Sequence, residues 1–441
     1  MAFELKGPIA YAALLIALIV GVGIGYGVGM MMMPKAPAEV VKPGLKGKIP
    51  IGALLTLTGD LATYGENNKA ALELAVKEIN DWLKTRGEEW QIELIIEDTA
   101  TDPKTALDKV KILHGRGVKV VIGPMTSAEV SEVKSYCEAN KILVISQSST
   151  SPALSIPGDW VYRFCPDDTI QGPAAARILY TLGIRWVIPV WRGDTWGDGV
   201  KAHTEEAFMK ILKETGEEGG FHEGIRYAPG VKEFTAEVAK LAEYVQDYVN
   251  KYGADKVGVL WIGFDEAAAF VVAAKEYPIL TEVVWVGSDG TAGIAPLVTV
   301  KEAAEFSWKV KWLHPVFAPT ASKKYEHLKE YVKEKIGREP DSYAYAAYDA
   351  LWCIAIALDL VDEYDSAKIK AVLPEVVKNY FGASGWFELN ENGDRAFSDY
   401  NILIVREVSP GKYAWDLAGV WVQAEDAVKW ADWFLEYVKG T

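Results

Sequence analysis

Residues 118–129 read Val118-Lys119-Val120-Val121-Ile122-Gly123-Pro124-Met125-Thr126-Ser127-Ala128-Glu129. The apolar run up to Gly123 predicts a short buried strand. Thr126-Ser127-Ala128-Glu129 has the form of a capping box, which starts a helix over 127–139. A strand therefore feeds a helix across a short turn, the unit from which parallel sheets are built. Two readings of the helix start stay open. It is plain capping, or its hydroxyls and unpaired N–H groups suit a carboxylate.

The same rhythm extends on both sides. Strands are expected over 49–56, 91–97 and 141–145, and helices over 66–84 and 103–113. Asp102 is the expected N-cap of the second helix, with Pro103 in its first position. The pattern restarts after Gly172, with strands over 186–190, 222–226, 256–261 and 283–287 and helices between them. Two α/β units of similar size follow, each with a doubly wound parallel sheet. The last third carries helices over 323–335, 343–361 and 367–379, strand-like pieces over 386–389, 401–405 and 415–420, and an amphipathic helix over 424–438.

A chain of 441 residues has room for two large lobes. Lys and Arg number 46 and Asp and Glu 61, a formal net charge of −15. That balance argues against nucleic acid as a partner, because phosphate binding needs surplus cations. The three cysteines, Cys137, Cys165 and Cys353, form no CxxC, and the five histidines have no metal-ligand spacing. A single disulfide stays open. No metal or cofactor is expected. There is no Walker A sequence and no GxSxG elbow, and the serine run Ser146–Ser151 has no histidine nearby in sequence. No catalytic residues are assigned, and the chain is read as a non-enzyme.

Ile9 to Met33 contains no charged residue. About 25 residues suffice to cross a bilayer, more than a signal-peptide core needs. An uncleaved transmembrane anchor over 1–33 is expected, with cleavage after Ala38 as the alternative. Residues 34–48, rich in Pro and Gly, read as a linker. Lys35, Lys42, Lys46 and Lys48 follow the segment, so the positive-inside rule alone would put the large domain in the cytoplasm.

Ligands of open parallel sheets bind beyond the carboxyl ends of the strands. The residues there are small and polar: Thr56-Leu57-Thr58-Gly59, Ser146-Gln147-Ser148-Ser149-Thr150-Ser151, Asp194-Thr195-Trp196-Gly197, Gly263-Phe264-Asp265 and Gly287-Ser288-Asp289-Gly290. Ser127 at a helix end and Asp289 supply one anion site and one cation site, which is what a zwitterion needs. The pair Asp167-Asp168 reads as helix-start residues.

In order along the chain, these strand ends resemble the periplasmic leucine/isoleucine/valine-binding proteins, the substrate-binding subunits of branched-chain amino acid ABC importers. The resemblance covers 49–420. It is carried by Ile51-Gly52-Ala53 with Thr58-Gly59-Asp60 and Tyr64-Gly65, by Val121-Ile122-Gly123-Pro124 with Thr126-Ser127, by Tyr162-Arg163 with Gln171-Gly172, by Trp196-Gly197-Asp198-Gly199, and by Tyr348-Asp349-Ala350. It implies a type I periplasmic-binding-protein fold: two doubly wound parallel-sheet lobes joined by three hinge crossings, here behind an N-terminal transmembrane helix. The implied divisions are 49–166 plus 310–385, 167–309 plus 386–420, and a terminal helix over 421–441.

The resemblance also implies roles. Ser127 and Thr150 would hold an amino-acid carboxylate, with backbone help at Ser148. Asp289 would hold the ammonium, although relatives often carry Glu there. Tyr64 and Trp196 would line the side-chain pocket, and Phe264 stands where relatives often have a tyrosine. Trp191 and Trp261 are expected to join Trp196 as aromatic walls. The implied function is a membrane-tethered, extracellular receptor passing an amino acid, branched-chain or otherwise, to an ABC permease and indirectly its ATPase subunits. The alternatives are a ligand-binding sensor domain and, behind it, an α/β hydrolase.

Overall fold

The computed structural model describes residues 44–439. The expected anchor over 1–33 and most of the linker over 34–48 lie outside the described residues.

The first sheet forms from β1 (Gly47–Leu55), β2 (Trp90–Asp98), β3 (Val120–Ile122), β4 (Leu143–Ser146) and β5 (Val161–Arg163), in the order β2-β1-β3-β4-β5. All its pairings are parallel. Helices α1 (Ala62–Arg86), α2 (Pro103–Gly115) and α3 (Ser127–Ala139) make the crossovers. Their starts are fixed locally. The Asp102 carboxylate accepts the Thr105 N–H at 2.7 Å, and Thr126 and Glu129 close the capping box that the sequence predicts. At the β3–α3 turn the backbone of Gly123 has φ +85°, and a Cβ there would lie 2.2 Å from the Leu54 carbonyl oxygen. Only glycine lets the two strand ends come this close.

After β5 the chain crosses into a second unit. Its elements are α4 (Asp168–Thr181), β6 (Trp186–Arg192), α5 (Thr195–Thr215), β7 (Gly220–Phe221), β8 (Ile225–Tyr227), α6 (Thr235–Tyr252), β9 (Val257–Ile262), α7 (Ala267–Ala274), β10 (Val284–Val286), α8 (Pro296–Thr299), α9 (Lys301–Lys309) and β11 (Leu313–Phe317). The chain then returns to pack α10 (Lys323–Ile336), α11 (Ser342–Val361) and α12 (Ser366–Lys378) on the first unit. The small hairpin β12 (Phe381–Gly382) and β13 (Gly385–Trp386) precedes a third crossing. The chain ends in β14 (Tyr400–Ser409), β15 (Lys412–Val422), β16 (Ala427–Trp430) and α13 (Asp432–Lys439). The second sheet runs β16-β15-β14-β11-β10-β9-β6-β7, with β8 also on β6. Its last three strands are antiparallel. This is the α/β type I periplasmic-binding-protein architecture.

The end of the chain departs from expectation. Where a helix over 421–441 was expected, β15 continues to Val422 and β16 pairs back along it, Trp430 opposite Gly419. Among the described residues there, a 3-10 turn covers Gln423–Glu425 and only Asp432–Lys439 is α-helical. The aromatic spacing served both elements, since the Trp430 ring on the strand packs at a tilt against Phe434 of the helix, with centroids 4.9 Å apart. β11 lies in the second sheet, so the return crossing falls after Phe317 instead of at 310. The three cysteines are buried, unpaired thiols. Among the described residues, α11 alone is long and apolar enough to cross a bilayer, and it is mostly buried in the core.

Candidate functional site

The carboxyl ends of both parallel sheets face a common crevice. From the first unit come Leu61 and Tyr64 after β1, Met125 to Ser127 after β3, and Ser148 after β4. From the second come Trp196 after β6, Phe264 after β9, and Asp289 with Gly290 after β10. Tyr343, at the start of α11, closes the ring. The space between them is a cavity of about 20 Å³, room for a water or two.

On the first side, the Ser127 oxygen accepts the Ser149 hydroxyl at 3.0 Å and the Ser151 N–H at 3.1 Å. Both its lone pairs are then used, and its own O–H is left to donate. The Ser127 N–H, at the first position of α3, is one of the amides a helix start leaves unpaired. Ser148 is set the other way. Its hydroxyl donates to the Met125 carbonyl at 2.8 Å, so toward a ligand its side chain can only accept.

Asp289 stands opposite and is buried. Its Oδ2 accepts the Tyr343 hydroxyl, and its Oδ1 has no partner. Burial pushes its carboxyl up to about 6, against the Tyr343 hydrogen bond that pulls it down. The Tyr64 hydroxyl donates toward two carbonyls of the same loop, Asp289 at 2.5 Å and Ala292 at 2.6 Å. Trp196 and Phe264 form the wall, with rings stacked at 4.6 Å and 18°. The Arg192 guanidinium lies over the Phe264 ring, 4.8 Å from its centre.

Six of the seven residues singled out from the sequence, Tyr64, Ser127, Ser148, Trp196, Phe264 and Asp289, line this one cavity. Thr150 does not. It is buried behind the cavity, its hydroxyl near the Asp168 carboxyl without a well-aligned hydrogen bond. Trp191 and Trp261 are not walls of the cavity. The Trp191 N–H binds Asp198 at 2.8 Å, and Trp261 is fully buried against Tyr227 and Trp312. Both sit within strands, whose side chains go to the faces of the sheet and not beyond its end. Sequence reasoning missed Leu61, Met125 and Tyr343. The signal for Tyr343 is the N-cap Asp341 two residues before it, which aims the start of α11 at the crevice and accepts the Tyr343 N–H at 2.8 Å.

An ionic cluster joins the units beside the cavity. Arg192 Nη1 binds Asp60 Oδ2 at 2.8 Å and Glu266 Oε1 at 3.1 Å, while its Nε binds Asp194 at 2.7 Å. Lys232 binds the other Asp60 oxygen. Burial raises the Asp60 carboxyl, but these two cations outweigh it and hold it below its ordinary value. Asp265 Oδ2 accepts the Thr63 N–H at 3.1 Å and its hydroxyl at 3.0 Å. Burial pushes Asp265 up to about 7.

Residues 67–406 match the family model of the receptor family ligand binding region. The chain belongs to this family. Among its relatives is an uncharacterised protein of Methanocaldococcus jannaschii, 33% identical over 402 residues, 87% of this chain and 91% of the relative. The Leu/Ile/Val-binding protein homolog 1 of Brucella suis biovar 1 is 27% identical over 368 residues, 82% of this chain and 92% of the relative. Among solved structures, a leucine binding protein of Thermotoga maritima superposes with a TM-score of 0.70 at 22% identity, over 84% of this chain and 98% of the other. A solute binding protein of R. palustris in complex with benzoate gives 0.67 at 16% identity, over 88% and 98%. These relatives accord with the family resemblance read from the strand ends.

Proposed function

We propose that this chain is the extracytoplasmic substrate-binding subunit of an ABC importer. It binds a free amino acid between two lobes and presents it to a permease. Residues 1–33 act as its membrane anchor and 34–46 as its spacer, because β1 already begins at Gly47. The lobes are 47–166 with most of 318–385, and 167–317 with the strands after 399.

The observation that carries this reading is the polarity of the cavity. A donor-only hydroxyl and a helix start on one unit face a buried carboxylate with an unpaired oxygen on the other. Ser127 suits the ligand carboxylate and Asp289 its ammonium. The Trp196–Phe264 stack and Tyr64 suit an apolar side chain. A cavity of about 20 Å³ does not admit a leucine-sized ligand, so the lobes must part to take one up. Closure then removes water from both charged contacts and strengthens them.

The test is a thermal-shift screen of the full-length protein against the twenty free amino acids, their amides and benzoate. A subset of amino acids should raise Tm in proportion to the logarithm of their concentration. Benzoate is included because a ligand with a carboxylate and an aromatic ring, but no amine, would use Ser127 and the ring stack alone. A rise with benzoate and none with any amine would overturn the assignment of Asp289. Protease added to intact cells tests the topology: an extracellular domain is digested, and a protected one sinks the transport reading.

A further inference from the structure

Arg163, the last residue of β5, is a fully buried cation that does not itself line the cavity. Its Nε and Nη2 fork onto the two oxygens of Asp394, at 2.5 and 2.6 Å. Both N–H groups of Nη1 go to backbone carbonyls of one short segment, Ser149 at 3.1 Å and Ser151 at 2.7 Å. A guanidinium is planar and rigid, so seating one edge on a carboxylate fixes where the other edge points.

Asp394 is held in its turn. It lies in the third crossing and bridges to Arg163 as a parallel strand would. The Arg163 N–H binds the Gly393 carbonyl, and the Arg163 carbonyl accepts the Arg395 N–H, each at 2.9 Å. Asp394 Oδ2 also accepts the Ser155 hydroxyl at 2.6 Å. The carboxylate comes from 231 positions down the chain, yet it is fixed to the end of β5.

The two carbonyls belong to the segment that sets the polarity of Ser127. From that segment the Ser149 hydroxyl and the Ser151 N–H donate to the Ser127 oxygen, at 3.0 and 3.1 Å. A serine hydroxyl with a free lone pair can donate or accept, and so can serve a carboxylate or an amide. With both donors in place it can only donate. The NH2 of an amide would then face donors alone and stay buried without an acceptor, which costs more than a lost contact.

We propose that Arg163 is a positioning residue for ligand selectivity: held by Asp394, it fixes residues 149–151 so that Ser127 stays a donor, and the site thereby chooses a free carboxylate over a carboxamide. The competing role is a fastening of the third crossing to the first sheet, and the two roles differ in what a variant does to selectivity. This inference rests on the amino-acid reading of the site.

The experiment is calorimetric titration of the full-length protein with L-leucine and L-leucinamide, or with whichever free amino acid raises Tm most and its amide. The wild type should prefer the acid by about a hundredfold. In Arg163→Lys the ammonium keeps the charge beside Asp394 but lacks the fork that spans two carbonyls, and the preference should shrink about tenfold. Ser149→Ala removes one donor from Ser127 with Arg163 untouched, and should shrink it to a similar degree. Ligand charge contributes to the preference in every variant alike, so the change in preference reports the hydroxyl. A wild type that binds the amide as tightly as the acid overturns the inference while leaving the receptor reading intact, and that result needs no variant to fold. A preference unchanged in Arg163→Lys, or in Asp394→Asn should the first variant not fold, also overturns it, even where affinity for both ligands drops. If no amino acid binds, the receptor reading fails and this inference falls with it.

Discussion

At Ser127 the direction of one hydroxyl decides what the site can hold. Two donors already occupy its oxygen, so it meets a ligand only as a donor. Ser127→Ala removes that donor and leaves the Ser149 hydroxyl and the Ser151 N–H without their acceptor. Affinity should fall about tenfold, with a loss of roughly 1–3 kcal/mol in stability. Asp289→Asn keeps the shape and removes the charge, and should weaken amino-acid binding roughly ten- to a hundredfold. The control is Lys324→Ala, on the exposed side of α10, which should bind as wild type. Calorimetric affinities of the three variants decide the roles, and equal effects of Asp289→Asn and Lys324→Ala would remove Asp289 from the site. The sequence could place Ser127 and Asp289 after strands. It could not show that Ser148 turns its proton inward to Met125, because that follows from a carbonyl 23 residues away.

At the scale of elements, site residues are delivered by the starts of helices. α1 has no side-chain cap, and it begins hard against the end of β1. A Cβ on Gly65 would lie 2.0 Å from the Thr56 carbonyl oxygen, backbone that cannot move without shifting the strand end. Gly65→Ala should therefore cost about 1–3 kcal/mol or more of stability in chemical denaturation. It should also weaken ligand binding through its neighbour Tyr64, and a variant as stable as wild type would show that the strand end gives way freely. Parallel strands and their crossover helices were legible because each is a local pattern. The C-terminal β15–β16 hairpin was not, because Trp430 at a helical interval from Phe434 gives the same aromatic spacing as a continuous helix. The N-cap Asp341 aims Tyr343 into the crevice, but its position opposite Asp289 depends on how α11 packs on α1.

For the whole molecule, the Arg192 cluster is one of the contacts that tie the units, beside those of Tyr64 and Thr63. Arg192 and its partners Asp60 and Glu266 are all nearly buried. Arg192→Met leaves Glu266 uncompensated and Asp60 with Lys232 alone, and breaking such a buried pair costs roughly 3–5 kcal/mol. The variant should bind ligand at least tenfold more weakly and stay more open, seen as a larger radius of gyration by small-angle scattering at saturating ligand. Unchanged affinity and radius would mean that closure does not use this cluster.

Stability also carries a pH signature. Burial raises Asp265 to about 7, and Asp289, Asp341 and Asp349 each to about 6. Each folded value exceeds the unfolded one, so the folded state binds more protons between about pH 4 and 7, and stability falls as pH rises through that window. Asp60, Asp98 and Asp102 have the opposite sign and fail only below about pH 4. Calorimetry of the ligand-free protein should find Tm at pH 8 roughly 5 °C below its value at pH 5. A Tm that rises over that interval would contradict the burial of these four carboxyls.

By itself the sequence determined the alternation of strands and helices, the end of the sheets at which the candidate cavity lies, and the family. These are written in runs of a few residues: apolar strands, caps and small polar turns. Tertiary structure alone decided which of those turns meet. Ser127 and Asp289 stand far apart in the sequence, and nothing local to either marks them as facing one cavity. They came to do so because two separately formed sheets bring their carboxyl ends to one crevice, where burial strips both side chains of water.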